Sequence, residues 1–195
     1  MKTNVTEVVN LVLTRLDESP SVLDDAVEYG SPDFDLRELV KTLLPMVAES
    51  VVLAADPSDI AESVPLPGEP VRLAGQGVRR ILLPLPDQCL RFLYLRMSDW
   101  GEEIRGGMEL DSVSAGIRRL WSARYGNGYG SAAVAITHYG GKRALEIFGS
   151  GEKATVADSG YIPRPEIAGD WLHFPSSLMG SLVGELVRTI KEIRR

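Results

Sequence analysis

The sequence predicts an α+β fold: helices at both chain ends and an antiparallel β-rich insertion between them. Three observations carry this. Apolar residues recur at helical spacing near the N-terminus and again over the last twenty residues. The middle of the chain changes to short alternating runs separated by glycine-rich reversals. Four prolines within residues 56–70 mark the first boundary. The expected division is residues 1–62 plus 171–195 as a helical bundle and 63–170 as the insertion, with the closing helix docked on the N-terminal ones.

The first helix is placed over residues 5–16, where Val5, Val8, Val9, Val12, Leu13 and Leu16 fall on one face. Asn4 followed by Glu7 gives a capping-box-like start. Glu18-Ser19-Pro20 stops it, and Ser21 caps a second, short helix reaching about Tyr29 and ended by Gly30. A third segment opens at Pro32-Asp33 and carries Leu36, Leu39, Val40, Leu43, Val47 and Val51 as one stripe to about Ala55. Pro45 interrupts that stripe, and a kink is expected there, with a break into two helices as the competing alternative. Residues 56–70 read as a linker with a single turn around Ile60.

The central stretch, Val71 to Trp100, organises the sheet. Val71-Arg72-Leu73 runs into Gly75-Gln76-Gly77 and Val78 to Leu83 returns, which is a hairpin. Pro84 and Pro86 cannot donate to a ladder, so the returning strand ends there or lies at an edge. From Cys89, strict alternation puts Leu90, Phe92 and Tyr94 on one face and Leu93, Leu95 and Met97 on the other. Both faces are apolar, so cover on both sides is expected. Gly101 to Gly107 is a turn, residues 110–124 are ambiguous with a short helix favoured by Ile117, Leu120 and Trp121, and residues 125–130 are a glycine-rich loop. Ala132–His138 and Arg143–Phe148 form a second hairpin around Gly140-Gly141, with Val134, Ile136, Leu145 and Ile147 on a shared side. A strand from Thr155 to Ile162 ends at Pro163 and Pro165. The last helix is capped by Ser176 or Ser177, and its stripe is Leu178, Leu182, Val183, Leu186, Ile190 and Ile193. Gly180 and Gly184 offer a side on which another helix could come close.

Composition narrows the function classes. With 195 residues, 44% hydrophobic and 25% charged, the chain can bury a core and is not of disordered composition. One cysteine excludes an internal disulfide, and no apolar run reaches the ~20 residues of a membrane span. The expected compartment is intracellular and reducing. Residues 1–62 hold 4 basic and 13 acidic side chains, a net of −9, which disfavours general nucleic-acid binding. Arg79-Arg80 and Arg118-Arg119 are pairs that suit an acidic partner surface or plain solvent.

No catalytic, cofactor or metal constellation emerges. His138 and His173 lack a second ligand at metal spacing, and Cys89 lacks an adjacent partner and suits a buried core position. Residues 149–153, Gly-Ser-Gly-Glu-Lys, have the wrong spacing for a phosphate loop and lead into a strand. Glu102-Glu103 sits in a turn and suits solvent. The candidate partner contacts are instead Arg118, Arg119, Trp121, Tyr125, Tyr129 and Tyr139, aromatic and arginine residues at glycine-rich loops. Filling of gaps at the sheet edge is the plainer reading of the same aromatics.

The order of parts resembles the head–tail adaptor (neck or gatekeeper) family of tailed phages, particularly the tail tubular protein A type. The resemblance rests on residues 81–91, Ile-Leu-Leu-Pro-Leu-Pro-Asp-Gln-Cys-Leu-Arg, then Leu93, Leu95, Met97 and Trp100. It continues in Leu145 to Phe148, Tyr161 to Pro165, and Leu172 to Pro175 before the last helix. It implies a non-enzymatic virion protein of the neck or tail, made in the host cytoplasm. Copies would form a ring, usually of twelve, between the portal and the tail or next neck protein. DNA would pass through without sequence-specific binding, and no membrane, cofactor or metal is implied. Two other readings stand beside it. One is a small enzyme with a site assembled from His138, His173, Cys89 and Asp87, and the other is a host interaction module.

Overall fold

The computed structural model describes residues 2–17, 36–75, 78–109 and 132–194. The fold is α+β, and the chain divides into two compact units, residues 1–62 with 164–195 and residues 63–163. The expected stop at residues 18–20, the short helix at 21–29, the segment 110–124 and the loop 125–130 lie outside the described residues.

The helical unit begins with β1 (Thr3–Asn4) and α1 (Val5–Asp17). Asn4 is the cap: its Oδ1 accepts the N–H of Thr6 at 2.9 Å and of Glu7 at 3.3 Å, two donors the first turn leaves without helical partners. Val5, Val8, Val9, Val12 and Leu16 are buried. Helix α2 (Leu36–Ala54) runs unbroken through Pro45, so the alternative of two helices is not met. Its buried positions, Val40, Leu44, Val47, Ala48, Val51 and Val52, form a single apolar face. A turn of 3-10 helix, Pro57–Asp59, follows and is capped by Asp56, whose carboxylate accepts from Ser58 N at 2.8 Å.

The closing helix, labelled α3 here (Met179–Ile193), packs on both α1 and α2. Leu182, Val183, Leu186 and Ile190 are buried. Ile193 is a correction: it lies past the final buried turn and is 53% exposed. The caps also differ from expectation. The serines form a 3-10 turn, Ser176–Leu178, and the helix starts behind it with no side-chain cap. The Ser176 hydroxyl donates to the Glu62 carboxylate instead, which holds Glu62 below the usual carboxylate range. Among the described residues, a Cβ added at Gly180 or Gly184 meets nothing within 4 Å, so neither glycine is there to admit a close neighbour. Leu186→Ala is expected to cost about 3 kcal/mol by emptying a site with no solvent exposure. Urea unfolding would read this as a lower midpoint at unchanged slope.

The second boundary falls earlier than expected, after Pro163 rather than residue 170. Strands β10 (Ile167–Ala168) and β11 (Trp171–Leu172) explain the shift. They form a tight hairpin with Gly169 at φ +60°, and β11 pairs with β1 through Thr3↔Leu172 and Asn4↔Trp171. Residues 164–172 are thereby stitched to the start of α1, and Val5 N donates to Asp170 O at 2.9 Å.

The β unit holds two sheets. One contains β2 (Val71–Gly75), β3 (Val78–Pro84), β6 (Met108–Glu109), β7 (Ala133–Tyr139) and β8 (Lys142–Phe148), in the order β2-β3-β8-β7-β6. Its pairs are antiparallel except β6 with β7, which is parallel. The other contains β4 (Cys89–Met97), β5 (Ile104–Arg105) and β9 (Val156–Pro163), in the order β5-β4-β9. Strand β5 lies in what reads as a plain turn in the sequence. The latter part of the proline-rich linker is likewise structured: Val64 and Tyr161 exchange backbone bonds of 2.9 Å each way, and Leu66 N donates to Ser159 Oγ at 3.0 Å.

Strand β4 corrects the predicted alternation. Its pairing with β9 skips one residue at Leu90 and another at Leu93, because Cys89 and Arg91 face Pro163 and Ile162, while Phe92 and Tyr94 face Tyr161 and Gly160. Each bulge resets the two-residue period. Cys89, Phe92, Leu95 and Met97 consequently share the core with Ile81, Leu83, Val134, Ile136, Leu145, Ile147 and Tyr161. Leu90 and Leu93, the extra residues, are buried too. Tyr94 is half-buried and Arg96 exposed.

Candidate docking surface

The β7–β8 hairpin presents the one described residue among the six candidate contacts. Two glycines make its turn, Gly140 at φ +60° and Gly141 at φ +79°, the conformation a two-residue reversal requires. At its mouth Tyr139 pairs with Lys142, and His138 pairs with Arg143. Burial ends here: Thr137 is buried, whereas His138 and Tyr139 are exposed, Tyr139 by 38%. Arg118, Arg119, Trp121, Tyr125 and Tyr129 lie outside the described residues.

The hairpin mouth is tied to the turn before β4. Lys142 Nζ lies 2.9 Å from Asp87 Oδ2, with both side chains mostly in solvent, so the pair contributes a few tenths of a kcal/mol at ordinary salt. Leu85 N donates to Arg143 O at 2.9 Å, and Arg143 Nη1 donates to the Cys89 carbonyl at 3.3 Å. These backbone-directed bonds fix the tip, which offers one aromatic ring, one ammonium group, an imidazole and a carboxylate. Such a set can hydrogen-bond and stack against a partner surface. The Asp87–Lys142 pair is invisible in the sequence because the two residues are 55 apart.

A second aromatic–arginine group, also missed by sequence reasoning, joins half-buried Tyr94 of β4 to exposed Arg105 of β5. The Arg105 guanidinium carbon sits 5.6 Å from the centre of the Tyr94 ring, and the Tyr94 hydroxyl reaches Asp158 Oδ1 at 3.4 Å. Glu103 Oε1 accepts from Arg105 Nε at 2.7 Å. The alternation Glu103-Ile104-Arg105 was the available signal, since residues two apart on a strand share a face.

The residues named for an enzyme fall in both units. Cys89 belongs to the β-unit core, Asp87 is exposed and paired with Lys142, and His138 is exposed at the end of β7. His173 belongs to the helical unit, where its backbone N–H donates to Glu166 O at 3.0 Å. Burial pushes the Cys89 thiol up to about 11, with Arg143 opposing weakly. At pH 8 only about one folded molecule in a thousand would then carry a thiolate. Alkylation at pH 8 is expected to be on the order of a hundredfold slower in the native protein than in denaturant. The same shift sets a pH trend. The unfolded chain releases the thiol proton first, so stability falls as pH rises from about 9 towards about 11, and this contribution is fully present below that window.

The loop at residues 149–153 holds a carboxylate of the chain itself. Asp99 accepts from Ser150 Oγ at 2.9 Å and from Gly151 N at 2.7 Å, while Trp100 Nε1 donates to Gly149 O at 3.0 Å. Ser150 Oγ and Gly151 N, two donors of the kind a phosphate loop uses, are thus taken up by Asp99. Among the described residues, no group of His, Cys, Asp and Glu is arranged to hold a metal ion, and no helix is long and apolar enough to cross a membrane. No protein-family model matches the chain, and no curated protein matches it.

Proposed function

We propose that the chain is a head–tail adaptor of a tailed phage or prophage, acting by assembly. Copies form a ring on the portal, and the ring carries the tail or the next neck component. The observation that supports this reading is the architecture. Both chain ends build one helical unit, the interposed residues build a separate β unit, and the elements follow the order that the resemblance implies.

Charge supports the same reading. The helical unit carries 9 basic and 17 acidic residues, a net of −8, and the β unit carries 12 and 10, a net of +2. A ring lined by the acidic unit would repel the DNA polyanion and let it slide. The β unit then serves as the partner-facing part, with Tyr139 and Lys142 at its hairpin mouth as contacts.

The test is electron microscopy of the protein mixed with its cognate portal, followed by addition of the tail-side partner. A ring of this chain on the portal is expected, with Tyr139→Ala plus Lys142→Glu weakening tail attachment at least tenfold while leaving the ring in place. His138→Ala and His173→Ala are expected to assemble like the parent. Absence of any ring overturns the proposal, as does tight, salt-sensitive retention of DNA by the assembled ring.

A further inference from the structure

We draw no further inference here: the strongest candidate, the shallow groove that Ser50, Val51 and Ala54 of α2 and the following Ala55 form with Ser181 and Glu185 of α3, carries nothing because nothing in the structure shows what covers it.

Discussion

Replacing Gly160 with alanine is expected to destabilise the β unit by about 3 kcal/mol, an overpacking cost at the upper end for one added methyl. Gly160 pairs directly with Tyr94 across β4 and β9. A Cβ there would stand 2.7 Å from Ser63 Oγ and 2.9 Å from Tyr94 Cδ1, distances at which one side must move. The tyrosine ring is hard to displace because Arg105 lies against it and its hydroxyl points to Asp158. Its backbone is held between β5 and β9, through Tyr94↔Arg105 and Tyr94↔Gly160. Denaturant titration of Gly160→Ala, Tyr94→Ala and the double variant separates crowding from any other cause. Most of the cost of Gly160→Ala should disappear once Tyr94 is gone. An equal cost in both backgrounds would show that the ring is not what the glycine accommodates.

The second large effect concerns a charge pair in the five-stranded sheet. Glu146 sits in the middle of β8, opposite Leu82 and Ala135, and its side chain is only 5% exposed. Arg80 meets it in the fork geometry, Nε to Oε1 at 2.7 Å and Nη2 to Oε2 at 2.8 Å. The carboxylate bond raises the Arg80 pKa further, so the cation persists at every accessible pH. Arg80→Ala strands an anion between apolar neighbours, and about 3 kcal/mol is expected, below the upper values for buried pairs because Arg80 is 34% exposed and water reaches its site. Glu146→Gln should cost less, since it removes the charge and keeps a hydrogen-bond acceptor. Arg80→Met with Glu146→Leu should recover most of the loss. Thermal unfolding of the three variants gives the order. If Arg80→Ala proves as mild as the double variant, the pair is solvated and the argument from burial is wrong.

The outline of the fold was legible because local signals and tertiary structure agree over most of it. The valines of α1, the Gly140-Gly141 reversal and the prolines beside the β strands each admit few conformations. The shared side of Val134, Ile136, Leu145 and Ile147 also follows from spacing alone, and all four lie in one core. Where the reading failed, a non-local partner decided the outcome. Leu90 and Leu93 look like ordinary strand residues, and only the pairing with β9 makes them the extra residues of two bulges. Ser176 has the chemistry of a helix cap, yet its hydroxyl is taken by Glu62, 114 residues away. The candidate contacts rest on residue type beside glycine, a signal that names surface chemistry without saying what it meets. Of the six, Tyr139 alone is among the described residues, and its neighbours Asp87 and Lys142 come together only through the fold.

Because α1 and α3 belong to the same unit, the order of synthesis leaves an interval to be bridged. Helices α1 and α2 leave the ribosome without α3, which packs on both and follows more than a hundred residues later. At ordinary elongation rates of about 5–20 residues per second, that wait lasts on the order of ten seconds. The β unit, whose described strand pairings all lie within residues 63–163, has no such dependence and can close first. A chain truncated before Met179 and released would therefore carry a finished β unit together with an uncovered apolar surface, the form in which chaperone capture or premature self-association is most favoured.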